Sequence, residues 1–211
     1  MSIVKSNELF DNIVYMHKRH RIFIAINLPE NIRKKLSSYQ DKWQEVPAKW
    51  VSSDNIHITL EFLGYLTDQE LGDVCMIAKE VIKRNKSFSI NLNKICYGPL
   101  PLNPKKSPKM IWAIGQDVKE LANLKNDLEK SLLESVRFSP ENRKFIPHIT
   151  LARISEWEWK KIEPEERQEV DENTDLLFSV ESVEVMESEL KRGGPRYTIL
   201  ESILLSDSID E

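Results

Sequence analysis

The sequence predicts a mixed α+β fold built on largely antiparallel sheets. Strand-like and helix-like patterns follow one another in the order β-α-β-α-β-β-α-β-β-β, with helices and hairpins mixed. The chain closes on two strand patterns joined by a Lys-Arg-Gly-Gly turn at 191–194, where Gly193 and Gly194 can take positive φ. The tetrapeptide His-Ile-Thr-Leu occurs twice, at 57–60 and at 148–151. Each copy lies in a strand pattern, and each half of the chain holds a helix to cover a sheet, which suggests an internal duplication.

The elements follow in order. Residues 22–28, IFIAINL, are β-branched and aromatic with no breaker, and predict a buried strand. A helix is expected over 29–43, with Pro29 in its first turn and Ile32, Leu36, Tyr39 and Trp43 on one face. NIHITLEFL at 55–63 predicts a strand. A helix follows from Thr67, where Thr67 and Glu70 form a capping-box pattern and Leu71, Val74 and Ala78 continue an apolar stripe. Strands are expected over 88–98, 109–115 and 145–154, and a third helix over 117–135. The loop at 99–108 is rich in proline and carries two lysines. Residues 155–175 are crowded with acids, and 177–190 and 195–205 read as the two closing strands.

Length and composition bound the function. A chain of 211 residues suits one domain of two lobes with a proper core. We place that domain at 21–207, with residues 1–20 as an extension whose residues 1–15 are either poorly ordered or bypassed by initiation at Met16. No apolar run approaches the ~18 residues of a membrane span. The first 20 residues lack the apolar core and cleavage site of a secretory signal. Cys75 and Cys96 form no metal-ligand spacing and read as free thiols of a reducing, cytoplasmic protein. A net charge of -4 argues against a wide basic face for long nucleic acid, but leaves room for a small phosphate site with local cations. No heptad seam is present, so a monomer is the default expectation.

Two of the chain's four histidines open the repeated tetrapeptides. Successive strand side chains alternate between faces, so His57 shares a face with Thr59, and His148 with Thr150. Glu61 continues the His57 face by the same count. Were the two strands adjacent, two imidazoles and two hydroxyls would converge on one cleft. Imidazole titrates near ~6.5, so one ring can act as base while the other acts as acid. Threonine hydroxyls can donate to non-bridging phosphate oxygens. A strained cyclic phosphodiester suits this set and calls for no metal; neither motif carries the third ligand a histidine metal site ordinarily adds. His17 and His20 lie in the basic run HKRHR and read as a solvated approach to the first strand.

With both motifs in hand, the chain resembles the two-histidine (2H) phosphoesterase superfamily, marked by paired H-x-[ST]-hydrophobic motifs. More closely it resembles the RNA 2′,3′-cyclic phosphodiesterases, the 2′-5′ RNA ligase family. The likeness runs from Arg21 to about Leu205 and includes RIFIAINLPENIRKKL, KWVSSDNIHITLEFLG, SPKMIWAIG, RKFIPHITLARI and SELKRGGPRYTILESILL. The resemblance implies a bilobal fold of two related α/β lobes around a central cleft. It implies opening of RNA 2′,3′-cyclic phosphate ends to 2′-phosphates with no metal or cofactor, on RNA 3′ ends or small cyclic-phosphate nucleotides and away from membranes. The family's catalytic histidines map onto His57 and His148, with His148 as base and His57 as acid, and its hydroxyl residues onto Thr59 and Thr150.

Further residues carry two readings each. Arg153, on the other strand face unless the chain bends, contacts substrate or forms a structural salt bridge. Phe62 stacks a terminal base or packs in the core. Lys105, Lys106, Lys109, Arg143 and Lys144 steer RNA or are simply solvated. Tyr197 is expected to serve packing. The alternatives to hydrolysis are ligation or cleavage of 2′-5′ linkages, and a non-catalytic module that holds an RNA end.

Overall fold

The structure, a computed structural model, describes residues 19–102, 106–141, 145–192 and 194–207. Met16, His17, Lys105, Arg143, Lys144 and Gly193 lie outside the described residues. The elements are β1 (His20–Asn27), α1 (Glu30–Ser38), β2 (Ala48–Trp50), β3 (His57–Leu66), α2 (Asp68–Lys83), β4 (Phe88–Gly98), β5 (Met110–Gly115), α3 (Lys119–Leu133), β6 (His148–Ile154), α4 (Glu156–Trp159), β7 (Asp171–Val180), β8 (Ser182–Lys191) and β9 (Gly194–Leu204).

The strands run in the order β7-β4-β5-β6-β3-β1-β8-β9, with β2 also paired to β6, and every pairing between these strands is antiparallel. At the centre β3 and β6 meet through one residue pair only, Ile58 with Ile149. That thin seam divides the sheet into two blocks of related layout, the two lobes. The lobes are not the two halves of the sequence. The hairpin β8–β9 crosses back to pair with β1, so the N-terminal lobe is completed by the C-terminus.

One sheet face buries Ile24, Ile26, Ile58 and Ile149, all at 0% exposure, in a core shared with Val74 and Ala78 of α2 and Leu124 and Leu128 of α3. The two helices pack on each other over this face. The capping box of α2 forms as the sequence predicts: Glu70 N–H donates to Thr67 Oγ1, and Thr67 N–H to the Glu70 carboxylate. Gly194 takes φ +132° at the start of β9, a region that favours glycine. Among the described residues no helix is long and apolar enough to cross a membrane.

Several expectations are corrected. The first helix ends at Ser38, and Pro29 precedes it rather than opening it, its carbonyl accepting from Arg33 N–H. The short β2 was not foreseen. The single strand expected over 177–190 is two strands that break at Glu181. The last acids before it, Asp171, Glu172 and Asp175, belong to β7, an edge strand whose Asp171 and Glu172 pair with Lys94 and Lys42. His20 is no solvated approach: it is 8% exposed, with Nδ1 2.8 Å from Glu187 and Nε2 2.9 Å from Asp68.

Candidate active site

The seam between the lobes sets the geometry of the repeated motifs. Ile58 and Ile149 are paired and both face the core. The residues on either side of them, His57, Thr59, His148 and Thr150, therefore face the opposite way. In this antiparallel register His57 flanks the position opposite Thr150, and Thr59 the position opposite His148. Two imidazoles and two hydroxyls thus occupy one face astride one seam.

Both motif strands then bend at the same place. In β3, Ala25 pairs with Thr59 but Ile24 pairs with Glu61, leaving Leu60 as an extra residue. In β6, Trp112 pairs with Thr150 but Ile111 pairs with Ala152, leaving Leu151 extra. Each is a β-bulge at the leucine of His-Ile-Thr-Leu, and each reverses the alternation beyond it. Glu61 is thereby turned away from the His57 face into the core, at 5% exposure, against the expectation from simple alternation. Phe62 and Arg153, each five residues past its histidine, are turned onto the imidazole face.

Phe62 is 44% exposed, stacked on Phe23 at 5.6 Å and capped by the Arg21 guanidinium at 4.9 Å, so it is no core residue. Arg153 is exposed and reaches the Met110 sulfur at 3.8 Å, as does the Thr150 hydroxyl. Among the described residues no carboxylate pairs with Arg153, so the structural salt bridge is absent there.

The imidazoles are anchored alike. His57 Nδ1 lies 2.8 Å from the Asn55 carbonyl and His148 Nδ1 2.8 Å from the Ile146 carbonyl. A carbonyl only accepts, so both Nδ1 atoms carry hydrogen and both Nε2 atoms bear the lone pair of the neutral ring. The Thr59 hydroxyl donates to His57 Nε2 at 3.1 Å. His148 stacks on the Trp112 indole, centroids 3.9 Å apart. His57 is walled by Phe23 at 5.0 Å and Tyr197 at 5.2 Å.

Burial by these aromatic walls lowers both histidine pKa values below the ordinary imidazole value, and the backbone carbonyls oppose the shift in part. The charge of His148 lowers His57 further, so the rings sense each other and disfavour double protonation. Tyr197 is pushed up by burial, while Arg153 and Arg21 oppose.

Thr59, Phe62, His148, Thr150 and Arg153 line one cavity of about 430 Å³; His57 is not in its wall but is hydrogen-bonded to Thr59, which is. All six expected site residues therefore gather around one seam. Sequence reasoning missed Trp112 and Phe23 as ring walls and placed Tyr197 only as packing. Their strands were legible, but the strand register that sets them against the imidazoles was not. Among the described residues no three His, Cys, Asp or Glu side chains group closely enough to hold a metal, and both cysteines are free.

Comparisons with known proteins agree with this layout. The model of the LigT-like phosphoesterase family matches residues 26–107 and 114–197, two segments that each hold one His-Ile-Thr-Leu. An RNA 2′,3′-cyclic phosphodiesterase of Thermotoga maritima is 29% identical over 185 residues, covering 85% of this chain and 92% of its own. One of Thermus thermophilus is 30% identical over 200 residues, covering 88% and 90%. Among solved structures, TT0787 of Thermus thermophilus aligns with a TM-score of 0.75 at 28% identity, covering 89% of this chain and 98% of its own. E. coli LigT complexed with 3′-AMP aligns with a TM-score of 0.73 at 26% identity, covering 89% and 99%.

Proposed function

The chain belongs to the LigT-like phosphoesterase family, and from that premise we propose that it hydrolyses the 2′,3′-cyclic phosphate at RNA 3′ ends to a 2′-phosphate. The working unit is the two-lobed domain at 21–207, acting in the cytoplasm. The observation that carries the reading is the matched anchoring of two imidazoles on one face, each with Nδ1–H spent on a carbonyl and Nε2 left for chemistry.

His148 is the base. Its Nε2 takes a proton from water as the water oxygen bonds to phosphorus, and the P–O3′ bond breaks. His57 is the acid, and its Nε2 gives a proton to the departing 3′ oxygen. The two Nε2 atoms must hold one proton between them, which the mutual repulsion of the rings favours. An anionic phosphate between them raises both pKa values and supplies the protonated acid in the complex.

The hydroxyls and Arg153 hold the phosphate. When His57 is protonated its Nε2 no longer accepts from Thr59, so that hydroxyl turns to a non-bridging oxygen. Thr150 and Arg153 rest on the Met110 thioether, a weak acceptor that a phosphate oxygen displaces. Phe62, at the rim beside Arg21, offers a face for the terminal base.

The test is incubation with a short RNA ending in a 2′,3′-cyclic phosphate, with chelator present. The expected product is the 2′-monophosphate. A 3′-monophosphate, or no turnover, would refute the reading.

A further inference from the structure

A second cavity, of about 540 Å³, adjoins the first. Lys109 lines both. It stands next to Met110, the register partner of Arg153, and its backbone is fixed at both polar groups. Lys109 N–H donates to the Gly98 carbonyl at 3.0 Å, and its own carbonyl accepts from Ile154 N–H at 2.9 Å. Beyond it the groove is lined by Lys106, Lys160 and Arg167, with Glu156 the one acid of its wall.

The charge sorting is specific. The stretch 155–175 is acidic overall, yet Glu163, Glu165 and Glu166 do not line the groove, while Lys160 and Arg167 do. Glu156 is already engaged by Lys160 at 2.6 Å. Arg167 is held in place, its Nε–H donating to the Ile162 carbonyl and its guanidinium lying over the Trp159 ring at 5.4 Å. Among the described residues Lys106 and Lys109 have no carboxylate within ion-pair distance. In a chain of net charge -4 this is a local island of positive potential that shares Lys109 with the reaction cavity.

The distances along the strand decide what can fill it. From His148 to Ile154, beside Lys109, β6 runs roughly 15–20 Å at about 3.3 Å per residue, allowing for the bulge. A terminal nucleotide seated at the imidazoles cannot also reach Lys106 and Lys160. A polyanion continuing from that nucleotide can.

We infer that this groove carries the single-stranded phosphodiester backbone of RNA on the 5′ side of the reacting terminus, so that a longer RNA end is taken with a lower KM than a cyclic mononucleotide that fills the reaction cavity alone. The inference rests on the hydrolytic reading above. The groove recognises charge and not base identity, since lysine and arginine contacts to phosphate carry no sequence information.

The test uses the full chain and a double variant, Lys106→Ala with Lys160→Ala, both exposed positions. Turnover is compared on a 2′,3′-cyclic mononucleotide and on an RNA of about ten nucleotides ending in the same group. The expected result is a loss of about tenfold in kcat/KM on the longer RNA, carried by KM, with the mononucleotide changed by less than about twofold. Equal losses on both substrates, or none on the longer one, would overturn the inference. Fluorescence anisotropy with a labelled RNA of the same length reads the groove without turnover. Losing two phosphate contacts should make the dependence of log Kd on log salt shallower by about 1.4, and an unchanged slope counts against the groove. Wild-type protein that binds RNA with this slope change but turns over neither substrate would refute the hydrolytic reading and leave the groove standing.

Discussion

Replacing Gly98 with alanine should damage the site without touching a proposed catalytic residue. A Cβ at Gly98 would lie 2.5 Å from Trp112 Cδ2, 2.8 Å from Cε3 and 2.9 Å from Cε2. Carbon atoms rest at about 3.5–4.0 Å, so the ring or the strand must yield by about 1 Å. β5 lies between β4 and β6, so the indole has Gly98 on one side and His148 on the other. The imidazole it would be driven against is already at a centroid distance of 3.9 Å. Overpacking of this kind costs about 1–3 kcal/mol of stability, and a base displaced by about 1 Å loses on the order of 10² in rate. Thermal unfolding and hydrolysis of the cyclic-ended RNA are measured on the same preparation, below its unfolding transition. The expected result is a folded protein with kcat lowered about 10²-fold and KM little changed. A folded Gly98→Ala protein with wild-type kcat would refute the claim that the indole sets the position of His148.

Other outcomes follow from the same geometry. His57→Ala and His148→Ala should each lower the hydrolysis rate by ~10²–10⁴. A protein lacking both rings that still turned over normally would eliminate the mechanism. Burial depresses both imidazole pKa values, so the base stays neutral to lower pH while the acid loses its proton earlier. The bell-shaped profile of kcat/KM, which reports the free enzyme, should therefore peak below about pH 6.5. The kcat profile should sit higher, because bound phosphate raises both values. A kcat/KM profile that climbs steadily above neutrality would contradict this. Lys125→Met should strand Glu61, 5% exposed and 3.3 Å from the ammonium, as an unpaired carboxylate. Burial already raises the Glu61 pKa, against the opposing charge of Lys125. Urea unfolding at pH 7 should show a loss of about 3 kcal/mol. A raised folded-state pKa favours folding as protons are added, so that loss should shrink as pH falls. An equal loss at pH 5 and pH 7 would count against it.

How much of this was legible in the sequence depended on the range of the interaction. The Thr67–Glu70 capping box is closed within four residues, and the strand over 88–98 is bounded by its own alternation; both were readable. His57, Thr59, His148 and Thr150 were readable because a rare residue type recurs in one short pattern. The bulges were not. Leu60 and Leu151 are ordinary strand residues, and only the partner strands β1 and β5 reveal them as extra. Alternation therefore assigned Glu61 to the imidazole face and Arg153 away from it, and the two bulges reverse both. His20 was misread because its partners, Asp68 and Glu187, lie 48 and 167 residues away. The acids of β7 hid a strand because an edge position leaves one side to solvent and to Lys42 and Lys94.

The central proposition is that His57 and His148 act on a single phosphate. Titration of inorganic phosphate into the protein, followed by NMR of the histidine ring protons, tests it directly. Both rings should move along one saturation curve with one anion bound, each toward its protonated position. A response from one ring alone, or two curves with different midpoints, would contradict it.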